Sequence, residues 1–189
     1  MSRDEFLSQA YIVEQQIVEI KPVKTDGFIL DLGGGGEGII GKLNRSQVAS
    51  IDKRPSELEE SQNDALKIIT DATNLKFIDN TFAIATAFFT MTYISNDDKP
   101  KVLKEAYRVL SPGGRLLIWD ANIPEKSCDK KYFFIPLKIV MPNETVETGY
   151  GSRLKKQTSQ RLKELAEEAG FKITKEETGE LTFYLELEK

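Results

Sequence analysis

A run of glycines narrows most what this chain can fold into. Gly33, Gly34, Gly35 and Gly36, then Glu37 and Gly38, stand between the short apolar run Phe28-Ile29-Leu30-Asp31-Leu32 and a helical start at Ile39 to Leu43. The apolar run has strand length and ends in residues with unusual backbone freedom, so it predicts a buried strand entering a tight turn. The helix that follows would offer free N–H groups and the positive end of its dipole at that turn. Gly33, Gly35 and Gly38 also satisfy the spacing G-x-G-x-x-G in a strand–turn–helix setting. The bland alternative is a tight turn with no ligand, and this density of glycine favours a turn that cradles one.

Strand and helix patterns alternate around this turn. Residues 2 to 19 read as an N-terminal helix, since Ser2 and Glu5 have capping-box spacing and Phe6, Ala10, Val13 and Ile17 recur at helical intervals. Val48 to Asp52, Lys67 to Asp71, Phe82 to Phe89 and Arg115 to Asp120 read as strands. Ser56 to Gln62, Lys99 to Leu110 and residues 157 to 169 read as helices, the last stopping at Gly170. Phe171 to Glu177 and Leu181 to Leu187 close the chain as two strands around Gly179. The alternation predicts an α/β fold with a mostly parallel sheet and helices on both faces, ending in an antiparallel hairpin. Residues 121 to 156 break the pattern and read as an inserted hairpin or lid within a single domain spanning 1–189.

Composition removes several kinds of chemistry. The chain has 189 residues, 40% hydrophobic and 30% charged, which suits one globular domain with a sizeable core. It has no histidine, which excludes histidine triads and histidine zinc sites, and no metal site is expected. The lone Cys128 has no partner for a disulfide or a zinc site and reads as an incidental surface thiol. The net charge of -4 lacks the basic field of a nucleic-acid-binding protein. No apolar run reaches the length of a membrane helix, and the charged N-terminus does not resemble a signal peptide, so a cytoplasmic protein without a membrane partner is expected.

Two aspartates accompany the glycine turn. Asp52 ends the second strand, where a carboxylate can accept both hydroxyls of an adenosine ribose. Asp71, followed by Ala72, ends the third, where a carboxylate can accept the exocyclic amine of adenine or cap a helix. Neither residue separates a nicotinamide dinucleotide from S-adenosylmethionine.

At this point the chain resembles the class I S-adenosylmethionine-dependent methyltransferases, in particular their small-molecule branch of quinone C-methyltransferases. The resemblance is carried by Ile29 to Gly38, by Ser50-Ile51-Asp52, and by Asp71-Ala72 with Leu75, Phe77 and Asn80-Thr81-Phe82. It is sharpest at Ala106-Tyr107-Arg108-Val109-Leu110-Ser111-Pro112-Gly113-Gly114-Arg115-Leu116, and altogether it covers residues 28 to 120. It implies a three-layer Rossmann-like sandwich with a seven-stranded sheet in the order 3-2-1-4-5-7-6 and one antiparallel strand near the C-terminus. It implies S-adenosyl-L-methionine as cofactor and S-adenosyl-L-homocysteine as product. By position, Asp31, Gly33, Gly34 and Gly35 would hold the methionine end, Asp52 the ribose, Lys53 the adenine face, Asp71 and Ala72 the adenine edge, and Phe88 and Phe89 the floor beneath. Three features depart from the family pattern. Glu37 stands where its third motif glycine falls, Ala83 replaces an aspartate, and Thr92 and Tyr93 occupy positions where it often has histidine.

The implied reaction is in-line transfer of a methyl group to a small-molecule acceptor. A sulfonium methyl is already activated, so orientation carries much of the rate, about 7–11 kcal/mol in well-oriented systems. The segment 121–156 leaves the carboxyl edge of the sheet and would recognise the acceptor. Tyr93, Asp120 and Tyr150 are the candidates for a catalytic group there. Like-charge repulsion predicts that Glu37 points away from a cofactor carboxylate. Two other readings stand beside this one: a non-catalytic module that binds S-adenosylmethionine, and an NAD-dependent oxidoreductase, for which no Tyr-x-x-x-Lys pair follows the later strands.

Overall fold

The computed structural model describes residues 3–125 and 129–189. Cys128 and the proposed cap Ser2 lie outside them. The elements follow in the order α1 (Arg3–Ser8), β1 (Ala10–Ile12), β2 (Gln16–Glu19), β3 (Ile29–Leu32), α2 (Ile39–Asn44), β4 (Val48–Asp52), α3 (Pro55–Glu60), β5 (Leu66–Ile69) and β6 (Phe82–Phe88). Then come α4 (Lys99–Val109), β7 (Leu110–Ala121), β8 (Tyr132–Val140), β9 (Thr145–Arg153), α5 (Ser159–Glu168), β10 (Lys172–Thr178) and β11 (Thr182–Glu188).

The main sheet has seven strands in the order β10-β11-β7-β6-β3-β4-β5. Read from its other edge, this is the order 3-2-1-4-5-7-6 that the resemblance implied. β3, β4, β5, β6 and β7 pair in parallel, and β11 runs antiparallel to both β7 and β10. The strands alternate sides as their pleat requires. Leu30, Leu32, Ala85, Ala87, Leu116 and Ile118 meet Val102, Leu103 and Ala106 of α4 and Leu162 and Leu165 of α5. Ile29, Val48, Ile84, Phe88 and Leu117 face the other way.

That second face differs from the expected helical layer. The short α2 covers part of it through Ile39 and Ile40, and a second sheet covers the rest. β8 is the centre of this sheet. It pairs antiparallel with β9 along one side, and parallel with β1 and then β2 along the other. Phe133, Ile135, Leu137 and Ile139 are 0–1% exposed and join the core cluster with Val18 and Ile20. The expected hairpin in 121–156 is therefore present, but as packed core rather than a loose cover.

The expected helix over 2–19 is overturned. Only Arg3–Ser8 is helical, and residues 10–12 and 16–19 are strands. The apolar spacing that suggested a helix also contains the β-branched residues Ile12, Val13, Ile17 and Val18, which favour extended chain. The open edge of β8 supplies hydrogen bonds to that extended chain, and in β2 Gln16 and Val18 turn inward while Ile17 and Glu19 turn out. Among the described residues no helix is long and apolar enough to cross a membrane.

A core strand and a mobile lid respond differently to truncation. Leu137→Ala is expected to lower the unfolding free energy by about 2–5 kcal/mol, measured by urea denaturation. A loss below about 0.5 kcal/mol, ordinary for a surface position, would show that the hairpin does not share the core.

Candidate functional site

The glycine turn is built over two buried polar side chains. Gly33, Gly36 and Gly38 adopt φ of 71°, 59° and 57°, values that residues with a Cβ rarely take. The N–H groups of Gly33 and Gly34 donate to the Ile51 carbonyl (2.8 and 3.0 Å), and that of Gly36 donates to the Glu57 carbonyl (2.7 Å). A Cβ on Gly34 would run into the Asp31 carboxyl and the Ser50 hydroxyl. Asp31 is 2% exposed and accepts a 2.7 Å hydrogen bond from Thr86 Oγ1. Burial pushes its carboxyl up to about 7, and the Thr86 bond offsets part of that rise. Ser50 Oγ is buried with no hydrogen-bond partner among the described residues.

Carboxylates continue along the same edge of the sheet. Asp52 ends β4 and accepts the Arg54 N–H at 2.8 Å. Asp71 follows the neighbouring β5 and accepts from the Thr73 N–H (2.8 Å) and Thr73 Oγ1 (2.7 Å), bonds that hold its carboxyl below the usual range. Lys53 is exposed, and Ala72 packs against the core. At the end of β6, Phe88 and Phe89 are buried, and Phe89 has a left-handed φ of 50°. Its N–H donates to the Trp119 carbonyl at 2.7 Å. This donor set fits an adenosyl cation: aspartates at two strand ends for ribose and adenine, glycine backbone for close approach, and buried oxygens under the turn with hydrogen-bonding capacity to spare.

The second sheet supplies the facing wall. Glu37 accepts hydrogen bonds from Thr148 Oγ1 and from Tyr150 Oη (3.0 Å), so its carboxylate is turned toward β9. The Tyr150 ring stacks on Phe89 at 5.1 Å between centroids with 6° between planes. Tyr93 meets Tyr150 edge-on at 6.5 Å. The aromatic row continues through Phe88 to Trp119 and Tyr184. A cavity of about 130 Å³ lies at the far end of this row, lined by Phe89, Trp119, Tyr184, Ile17 and Val18. Another of about 310 Å³ is lined by Tyr11, Val13, Ile123 and Leu181.

Comparison with known proteins places this architecture. A family model described as a methyltransferase domain matches residues 30–118. Ubiquinone/menaquinone biosynthesis C-methyltransferases are similar to part of the chain. That of Saccharophagus degradans is 30% identical over an alignment of 144 residues that covers 68% of this chain and 57% of that protein. That of Hydrogenovibrio crunogenus is 28% identical over an alignment of 142 residues that covers 67% of this chain and 55% of that protein. The chain thus spans little more than half the length of these relatives. Among solved structures, a protein of Pyrococcus horikoshii superposes with a TM-score of 0.67 at 17% identity, covering 88% of this chain and 84% of that one. A S-adenosylmethionine-dependent methyltransferase of Methanosarcina mazei does so with 0.62 at 20% identity, covering 88% and 94%. The chain has the class I S-adenosylmethionine-dependent methyltransferase fold.

In this methyltransferase fold the sequence-expected residues separate into two groups. Asp31, Gly33, Gly34, Gly35, Asp52 and Asp71 stand together along the carboxyl edge of β3, β4 and β5, with Phe88 and Phe89 at the end of β6. Of the catalytic candidates, Tyr93 and Tyr150 meet beside the turn, and burial raises both hydroxyls above the ordinary tyrosine range. Tyr150 Oη donates to Glu37 Oε2 at 3.0 Å. Asp120 is fully buried and accepts from the Thr92 N–H, the Ala121 N–H and Gln157 Nε2. Gln157 in turn accepts from the buried Lys99 ammonium at 2.6 Å. This network ties β7 to the loop after β6 and to the approach to α5.

Several contributors escaped the sequence reading. Thr86, Ser50 and Thr90 line the underside of the turn, and Thr148 holds Glu37. A polar Thr86 inside the apolar stretch Phe82–Phe88 was the one available signal. The elevated Asp31 pKa has a consequence for stability. Folding holds a proton that the unfolded chain gives up near pH 4, so stability falls as pH rises from about 4 through 7 and levels above that. Asp31→Asn removes this contribution and should flatten the difference in urea midpoint between about pH 4.5 and 8. Profiles that stay parallel would show that Asp31 is ionised throughout.

Proposed function

We propose that this chain is a methyltransferase that uses S-adenosyl-L-methionine and methylates a small aromatic acceptor of the quinol type. The observation that carries the reading is the sign of charge at the turn. Glu37 stands within the turn and Asp52 ends the adjacent strand, and Asp31 beneath Gly34, which holds a proton to about pH 7, is able to ionise beside a cation. The pyrophosphate of a nicotinamide dinucleotide would bring two negative charges to this place, whereas the ammonium and sulfonium of S-adenosylmethionine bring positive ones. Glu37 in particular disfavours the dinucleotide, although the glycine spacing alone admits it.

Bound there, S-adenosylmethionine supplies an activated methyl group on sulfur and leaves as S-adenosyl-L-homocysteine. The chain's own contribution is binding, orientation and exclusion of water. Asp52 would accept the ribose hydroxyls and Asp71 the adenine amine, with Lys53 and Ala72 beside the base. Asp31 and the Gly33–Gly35 backbone would take the amino-acid end. Phe88, Phe89 and Tyr150 form an apolar, aromatic surface beside the turn, which suits a planar acceptor and keeps water from the transferring methyl. The relatives named above act in ubiquinone and menaquinone biosynthesis, and this supports a reduced quinone as acceptor. A single cysteine is in keeping with action in the reducing cytoplasm.

Calorimetry with S-adenosylhomocysteine and with NADH tests the cofactor. The former should bind and the latter should not. Asp52→Ala should weaken binding about tenfold or more, as expected when hydrogen bonds to a charged group are lost. Incubation with methyl-labelled S-adenosylmethionine and a dithionite-reduced naphthoquinone should label the ring. Binding of NADH without S-adenosylhomocysteine would overturn the cofactor assignment, and cofactor binding without label transfer to any reduced quinone would overturn the acceptor.

A further inference from the structure

One residue of the glycine turn is committed to the second sheet. Glu37 receives both the Thr148 and the Tyr150 hydroxyls, one on each carboxylate oxygen, across 111 and 113 residues of chain. Thr148 and Tyr150 stand at alternate positions of β9 and so project to the same face. Their partners across the ladder are Leu137 and Ile135, which are 0–1% exposed. The Tyr150 ring cannot settle wherever solvent allows. It is pressed flat on Phe89, whose left-handed backbone turns it into place at the end of β6. The rest of the hairpin is pinned elsewhere: Glu144 pairs with Lys42 of α2 at 3.5 Å, and the Ser152 and Thr92 hydroxyls meet at 3.1 Å. Among these contacts only the Glu37 pair joins the turn itself to β9.

We propose that Glu37 is a positioning residue that couples the glycine turn to the acceptor wall by holding Tyr150 against Phe89. The inference rests on the cofactor reading given above and extends it from the cofactor to the acceptor. Two hydroxyl donors to one carboxylate form charge-assisted bonds, which are roughly twice as strong as neutral ones. A positively charged ligand at the turn changes the field at that same carboxylate, and the change passes through two hydrogen bonds to the aromatic wall. The wall is thus assembled at the turn rather than independently of it.

Three variants separate this role from simple packing. Tyr150→Phe keeps the ring and its stack but removes one donor, Glu37→Gln keeps the shape but leaves one acceptor oxygen, and Glu37→Ala removes both. Without ligand, amide exchange across Thr145–Arg153 should quicken about tenfold in Tyr150→Phe and more in Glu37→Ala, with Glu37→Gln intermediate. Exchange of Gln16–Glu19, on the opposite edge of β8, should stay as in the wild type. With S-adenosylhomocysteine, the wild type should show slower exchange in β9, and Tyr150→Phe should lose that slowing while still binding the ligand within about threefold. With the reduced naphthoquinone, Tyr150→Phe should raise the acceptor KM more than it lowers kcat. Unchanged β9 exchange in all three ligand-free variants would overturn the proposal, as would ligand-induced slowing that survives in Tyr150→Phe. If the wild type fails to bind S-adenosylhomocysteine, it is the cofactor reading that fails, and the ligand-free comparison still decides whether Glu37 holds the wall.

Discussion

A strand buried in the middle of a protein must satisfy the hydrogen bonds on both of its edges, and β8 is such a strand. Its inward residues are almost fully covered, so neither edge has water to turn to. β9 answers one edge as the return arm of a hairpin. The other edge is answered by chain from the far N-terminus, first β1 and then β2. This pairing ties the N-terminal segment to β8, and β9, on the other edge of β8, reaches the glycine turn through Thr148 and Tyr150. Without it, the segment after β7 would be an exposed hairpin and the turn would lie open. The site therefore depends on a sheet that is separate from the one carrying the glycine motif.

The electrostatics of the turn follow from where that sheet leaves it. Asp31 loses water beneath Gly34 and holds a proton more tightly than an exposed aspartate. Ser50 sits next to it with an unused hydroxyl. Glu37, at the rim, has its carboxylate matched by two hydroxyls rather than by a basic side chain. The region gathers acceptors and negative charge, with the exposed Lys53 and Arg54 at its outer border. Buried polar groups of this kind are costly unless something completes them. Asp120 makes the contrast clear. Its three donors complete it within the protein, so it serves as a junction between elements.

Local chemistry was legible in the sequence and long-range pairing was not. The turn could be read because glycine conformation, strand length and helix start are all decided by residues within about ten positions of one another. Asp52 and Asp71 could be read for the same reason, since Asp52 closes β4 and Asp71 comes two residues after β5. The N-terminal strands could not. Phe6, Ala10, Val13 and Ile17 fit a helical period as well as their neighbours fit a strand, and the choice was made by a free edge more than a hundred residues away. The role of Thr148 was equally hidden, because nothing near it announces a partner at Glu37.

The strand order came from the family resemblance, and by itself the sequence determined the parallel sheet, the glycine turn and the aspartates beside it. These are properties of short segments whose hydrophobic period and backbone preferences leave few choices. The tertiary structure decided what covers the turn: that residues 10–19 are strands, that the hairpin after β7 is core, and that Tyr150 rests on Phe89 under the hold of Glu37. Those outcomes depend on which edges and faces remain unsatisfied once the main sheet has formed. A buried edge needs a partner wherever in the chain it lies, and that need is visible only when the rest of the fold is in place.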